Sequence, residues 1–264
     1  MPVYEILLQL QDQGKLASVL HLPDNNTNCP IVIYCPGKNG ERFEVHRLAV
    51  NLARRLNKIG VGFLRFDYFG LGLSDGVFYQ MTTSSKVSNV LTAQRFVHEW
   101  MQVNNERLLY LGFSDGARIA VMAANRSNIS RLLLWSPLLY EIGGNFPGNK
   151  KPRFIRHPMD KDAYVMPWAG LWVGMDFYRD LNNISIEQEL DRYRGNSMVI
   201  YGDDDPLIIE EFEVMKTNET RLFRPSERNH LEIIEGGGHL FTSQQLEEQL
   251  LSKSIHWIQS QMMT

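Results

Sequence analysis

The stretch "LLYLGFSDGARIA", residues 108–120, decides how this chain is to be read. It runs from an apolar, strand-like segment through Gly112, Phe113, Ser114, Asp115 and Gly116 into a helix of small residues. A tight turn uses glycine and a helix often begins at serine, which is the plain reading of Ser114. The chemical reading is that a serine forced onto a sharp strand-to-helix turn exposes its hydroxyl beside free backbone N–H groups, as in a nucleophile elbow. The rest of the chain must supply the partners that decide between them.

Outward from this turn the chain alternates. "IVIYC" (31–35), "VGFLRFD" (61–67), residues 108–113, "RLLLW" (131–135), "MVIYG" (198–202) and "HLEIIE" (230–235) read as buried strands. Helical spacing lies between them, at Val45, Leu48, Ala49, Leu52 and Leu56, then over about 85–102 and 115–125. A last helix carries Leu251, Ile255 and Ile258 on one side. The N-terminal residues alternate like two strands joined by a turn at Gln11–Gly14. Buried strands alternating with amphipathic helices predict an α/β protein with a mostly parallel central sheet flanked by helices. About 60 residues separate strand 131–135 from strand 198–202, far more than a usual connection, with Pro147, Pro152, Pro158 and Pro167 among them. We read residues 137–196 as an inserted cap on a core formed by 1–136 and 197–264.

Composition narrows the function. The 264 residues can bury a large core, and a formal charge of −3 argues against nucleic acid as a partner. No apolar run approaches about 18 residues and no basic stretch precedes a long apolar one, so neither a membrane span nor a signal peptide is expected. Cys29 and Cys35 lie six residues apart on one strand, roughly 20 Å when extended, and cannot pair with each other. A reduced, cytoplasmic protein is the expectation.

Serine is a weak nucleophile that needs a base, and the base needs an orienting carboxylate. In open α/β sheets reacting groups gather at the carboxyl ends of strands. Of seven histidines, His46, His98 and His256 fall in expected helices, His21 in the N-terminal hairpin, His157 in the insertion, and His230 at the start of a strand. Only His239 follows a strand's end, in "IIEGGGHLF", where three glycines allow close approach to another backbone. Strand 198–202 ends in Asp203, Asp204 and Asp205; one of these is the expected carboxylate, the others capping the following helix or turn. The order Ser, acid, His differs from that of the two common protease types.

With these residues in place, the sequence resembles the α/β-hydrolase superfamily over nearly its whole length, in particular its capped esterase, thioesterase and serine-aminopeptidase-like branch. The family's G-x-x-D pattern after the penultimate strand matches Gly202 to Asp205, which implies Asp205 as the acid. Its His-Gly-x oxyanion loop is matched by Pro36, Gly37 and Lys38, and its D-x-R-G-x-G-x-S motif by "DYFGLGLS", Asp67 to Ser74. Phe69 stands where the family has arginine, and Pro36 and Lys38 replace a histidine and an apolar residue. Lys38 would either hold a cation near the oxyanion pocket and bear on substrate choice, or lie in solvent and contribute only its backbone N–H, the second being the expectation.

The resemblance implies a serine hydrolase with Ser114 as nucleophile, His239 as base and Asp205 as its orienting acid. Backbone N–H groups of Lys38 and Asp115 would hold the oxyanion, with the Asp115 carboxylate turned away. No cofactor is required. "FGLGLSDG" lacks the third glycine of a dinucleotide fingerprint, "PGKNG" lacks two positions of a phosphate loop, and no cluster has metal-ligand spacing. The aromatic and Met-rich run Tyr164–Tyr178 is expected to wall an apolar acyl pocket with Met166, Trp168, Trp172 and Phe177. Lys150, Lys151, Arg153, Arg156 and Lys161 precede it and would suit an acidic acyl carrier protein or a phosphopantetheine arm. The substrate expected is a small-molecule acyl ester or thioester. A carrier-bound or coenzyme A-bound thioester, hydrolysed or transferred, is the nearest rival, and a non-catalytic ligand-binding module the most distant.

Overall fold

A computed structural model describes residues 2–10, 14–24, 26–140, 153–215 and 221–263. Of the expected turn at Gln11–Gly14, residues 11–13 lie outside the described residues, as do Pro147, Lys150, Lys151 and Pro152. Eleven strands are assigned among the described residues, and eight of them form one sheet. These are β1 (Val3–Gln9), β2 (Lys15–His21), β3 (Ile31–Cys35), β4 (Gly62–Phe66), β5 (Leu108–Phe113), β6 (Arg131–Trp135), β10 (Asn196–Gly202) and β11 (Asn229–Ile234), in the order β1-β2-β4-β3-β5-β6-β10-β11. β1 and β2 form an antiparallel hairpin and β2 pairs antiparallel to β4; every other pairing is parallel.

Parallel strands covered on both faces must be apolar on both sides, and β3 and β5 show this residue by residue. Ile31, Ile33, Cys35, Leu108 and Tyr110 enter one core, whereas Val32, Tyr34, Leu109, Leu111 and Phe113 enter the other. Helices α1 (Leu48–Lys58) and α7 (Gln244–Met262) cover the second core; α2 (Thr83–Met101) and α3 (Gly116–Ser127) cover the first. The expected first helix is shorter at its start, since Val45–Arg47 form a 3₁₀ turn with His46 at φ 34°. The start of α2 is fixed by a reciprocal cap, with the Thr82 hydroxyl accepting from Ser85 N and the Ser85 hydroxyl from Thr82 N.

The long connection is not a structureless loop. Its described part holds β7 (Ile155–Arg156), β8 (Tyr164–Trp168) and β9 (Leu171–Gly174) in a small antiparallel sheet, then α4 (Met175–Leu181) and α5 (Ile186–Arg192). Ala169 and Gly170, both at positive φ, make the two-residue turn between β8 and β9. Pro167 is tolerated inside β8 because β7 pairs only with Tyr164 and Val165, leaving that edge open at Pro167. The segment is seated on the loop that follows β4 and on the first turn of α2: the Trp168 ring stacks on Phe78, and Ser84 donates to Asp180 from both N (2.8 Å) and Oγ (2.6 Å).

Candidate active site

Ser114 sits between the end of β5 and the start of α3 with φ 55°, the left-handed backbone region that a non-glycine residue enters only under constraint. Ser114 N donates to Trp135 O at 2.9 Å, while Ser114 O accepts from Ala117 N and Leu138 N. The glycines on either side are required by contact. A Cβ at Gly116 would collide with the carbonyl oxygens of Cys35 and Pro36, and one at Gly112 with the first turn of α3.

The loop after β11 brings His239 to this serine. Its Nε2 lies 3.0 Å from Ser114 Oγ, and its Nδ1 2.8 Å from Asp205 Oδ2. Asp205 is fully buried, and its other oxygen accepts from Leu207 N (2.9 Å) and Ile208 N (3.3 Å) at the start of α6 (Pro206–Met215). A carboxylate facing Nδ1 holds the proton there and leaves the Nε2 lone pair toward the hydroxyl. The sequence expectation for the neighbouring aspartates needs correction. Asp203 and Asp204 do not cap the following helix; their Oδ1 atoms accept from Gly236 N (2.8 Å) and Gly238 N (2.7 Å), pinning the turn that carries His239. Capping falls to Asp205, which performs both tasks.

The loop after β3 flanks the serine from the opposite side, and a Cβ built on Gly37 would stand 3.6 Å from Ser114 Cβ. Glu44 braces this loop: Oε2 accepts from Tyr34 OH at 2.7 Å and from Gly37 N at 3.2 Å. Burial raises the Glu44 pKa, and the hydrogen bonds it accepts oppose that shift. Asp67 ties the same loop to the "DYFGLGLS" turn, accepting from Arg42 N (2.6 Å), the Arg42 guanidinium and Leu73 N (2.9 Å).

Lys38 departs from expectation. Its side chain is buried, not solvated, with Nζ 4.6 Å from the Trp168 ring centroid and 4.6 Å from that of Phe177. The Asp115 carboxylate pairs with Lys86 Nζ at 2.9 Å and with the Arg118 guanidinium. Burial alone would raise the Asp115 pKa; Arg118 and Lys86 together outweigh it and hold the carboxyl below its ordinary range.

A cavity of about 190 Å³ opens at Ser114 and His239, lined also by Lys38, Phe113, Leu138, Trp168, Leu207 and Leu240. Of the four residues expected to wall it, Trp168 does so. Met166, Trp172 and Phe177 are not among its lining residues. Met166 and Phe177 are buried in the core beneath, and Trp172 packs edge-on to His157. A larger groove of about 540 Å³, lined by Tyr79, Asp160, Tyr164 and Asp176 among others, reaches none of Ser114, Asp205 and His239. Among the described residues no group of His, Cys, Asp or Glu is placed to hold a metal ion, and no helix is long and apolar enough to cross a membrane.

Lys86, Arg118 and Glu44 were not singled out from the sequence. Lys86 did leave a signal, because it falls on the buried stripe of α2 with Val90, Ala93 and Val97, where an unpaired lysine would be costly.

No family model matches the chain. Similar solved structures cover nearly all of it. Est1E from Butyrivibrio proteoclasticus, with ferulic acid bound, is 23% identical, covers 98% of this chain and 100% of its own, and superposes with a TM-score of 0.79. The alpha/beta hydrolase GrgF from Penicillium sp. sh18 is 15% identical with both chains fully covered and a TM-score of 0.75. The esterase domain of a Rhodothermus marinus protein is 14% identical, covering 98% of this chain and 99% of its own, with a TM-score of 0.71. The chain has the α/β-hydrolase fold. Among curated proteins, an uncharacterized protein of Mycobacterium tuberculosis is 28% identical over 141 residues, 53% of this chain. The match spans about half (48%) of that relative's length.

Proposed function

We propose that this protein is a serine hydrolase that cleaves a carboxylic ester or thioester with an apolar or aromatic acyl group. One observation carries the reading: the continuous line from buried Asp205 through His239 to Ser114 Oγ, with contacts of 2.8 and 3.0 Å. As Ser114 Oγ attacks the acyl carbon, His239 Nε2 takes its proton and Asp205 stabilises the imidazolium. The oxyanion is held by the backbone N–H groups of Lys38 and Asp115. Collapse of the tetrahedral species breaks the C–O or C–S bond, and His239 returns the proton to the leaving alcohol or thiol. Water, deprotonated by the same imidazole, then releases the acid and restores Ser114.

The acyl preference rests on Trp168, Phe113, Leu138 and Leu207, which give the cavity an apolar wall. Est1E binds ferulic acid, an aromatic acid, within a similar fold, which supports an aromatic acyl group as one option here. A carrier-bound thioester is the second reading, supported by the exposed Arg153, Arg156 and Lys161 on the inserted segment, which serves as the cap. The test is labelling with a fluorophosphonate, followed by a panel of p-nitrophenyl esters and acyl thioesters. One adduct on Ser114 with turnover of either class is expected. A folded protein that neither labels nor turns over any of them would instead be a ligand-binding module.

A further inference from the structure

Asp115 raises a difficulty for the proposed chemistry. A carboxylate directly after the nucleophile, on the residue whose N–H is to receive an oxyanion, would repel the charge it is meant to stabilise. Arg118, three residues on in the first turn of α3, already pairs with it. Lys86 comes from a different helix and is fully buried. Its Nζ stands 2.9 Å from Asp115 Oδ2, 2.9 Å from Lys38 O and 4.9 Å from the Tyr68 ring centroid. One ammonium therefore bonds to both residues that would supply oxyanion N–H groups.

We propose that Lys86 is a positioning residue that clamps the two halves of the oxyanion hole together. The inference rests on the functional reading above and deepens it. The loop after β3 and the elbow after β5 follow neighbouring parallel strands whose pairing ends at Cys35 and Gly112, and Gly116 packs against the carbonyls of Cys35 and Pro36 at their base. Beyond that base, Lys86 ties the two segments together, bonding to Lys38 O on one and Asp115 Oδ2 on the other. On the loop side, Gly37 N donates to Glu44 and Lys38 O accepts from Lys86, so the peptide groups on either side of the Gly37–Lys38 amide are both held. On the elbow side, the Asp115 carboxylate is the handle. An aspartate in a position hostile to anions is then explained: it is the anchor for the clamp, and its charge is more than cancelled by two cations.

A purely electrostatic role for Lys86 is separable from this one. The cluster of Lys86, Arg118 and Asp115 carries a net charge of +1. Lys86→Met lowers that to zero and removes the tether. The double variant Lys86→Met/Asp115→Asn restores +1 yet still leaves Lys38 O without its ammonium. The proposal predicts that Lys86→Met lowers kcat by about 30-fold, within reach of the roughly 10²–10³ lost with a whole oxyanion donor, while KM changes less than about twofold. It also predicts that the double variant recovers nothing. Recovery to near wild-type kcat, or a wild-type kcat in Lys86→Met, overturns the clamp. If Lys86→Met does not fold, the crystal structure of the wild-type phosphonate adduct decides. Lys38 N and Asp115 N must both lie within about 2.7–3.1 Å of the adduct oxygen with the Lys86 contacts intact; an oxygen held elsewhere refutes it. Failure of the functional reading shows separately, as wild-type protein that does not label at Ser114.

Discussion

Replacing Trp168 by alanine tests how the cavity selects its acyl group. Among the described residues, the indole is the one ring of the inserted segment that lines the cavity beside Ser114, and it also stacks on Phe78 and faces Lys38 Nζ. A space of about 190 Å³ holds roughly six water-sized groups, taking about 30 Å³ for each. Each methylene buried there is worth about 0.8 kcal/mol, or nearly fourfold in kcat/KM when fully realised in the transition state. From acetyl toward hexanoyl esters, kcat/KM should climb by about fourfold per carbon and then level as the cavity fills. Trp168→Ala should flatten that climb and leave acetyl ester turnover far less affected. Trp172→Ala, at a residue that does not line the cavity, should leave the slope unchanged. The assay is a p-nitrophenyl ester series with thermal unfolding measured on each variant. Equal losses for every ester in Trp168→Ala, with a matching fall in Tm, would show that the ring only packs the segment onto the core.

Three further outcomes follow from the geometry. Asp205→Asn should lower kcat by about 10⁴, since the amide cannot hold the imidazole in the required tautomer. Asp203→Asn and Asp204→Asn, whose amide oxygens can still accept from Gly236 N and Gly238 N, should cost less than about tenfold; steady-state kinetics on the three variants checks the ranking. Gly116→Ala should destabilise the fold by about 3 kcal/mol or more in urea unfolding, because the new methyl meets the carbonyls of Cys35 and Pro36, which belong to backbone that cannot easily shift. His21 is buried, accepts from Arg65 Nε at 2.9 Å, and is held neutral, its pKa lowered to about 4 by desolvation and then by Arg65 and Arg54. The unfolded chain binds a proton near 6.5 and the folded one only near 4, so this group's stabilisation is complete above that window and is lost as pH falls through it. Between pH 8 and 5 the loss should be about 2 kcal/mol, and urea unfolding of His21→Gln should lack this increment.

The residues whose meeting in the structure was legible in the sequence were those marked by a local pattern. Ser114 stands in a five-residue pattern between a strand and a helix, and His239 in a glycine-rich turn directly after a strand. The layered sheet was legible because β3 and β5 are apolar on both faces, a pattern that survives without knowledge of neighbours. Lys86 was legible only as a lysine on the buried stripe of α2; its partners lie 48 and 29 positions away and no local pattern joins them. The Lys38 side chain misled for the same reason: its aromatic partners Trp168 and Phe177 come from the inserted segment. Pro167 concealed β8, because a proline argues against a paired strand unless one edge is known to be open. Met166 and Phe177 share a composition with Trp168, and only packing separates core from cavity wall.

The most direct test is to catch the acyl-enzyme. Protein turning over a p-nitrophenyl butyrate solution is quenched in acid within milliseconds, digested, and analysed by mass spectrometry. A butyryl increment on the peptide containing Ser114, absent in Ser114→Ala alongside a fall in kcat of about four to six orders of magnitude, is the expected result. A butyryl group on another residue, or wild-type-like turnover by folded Ser114→Ala, would contradict it.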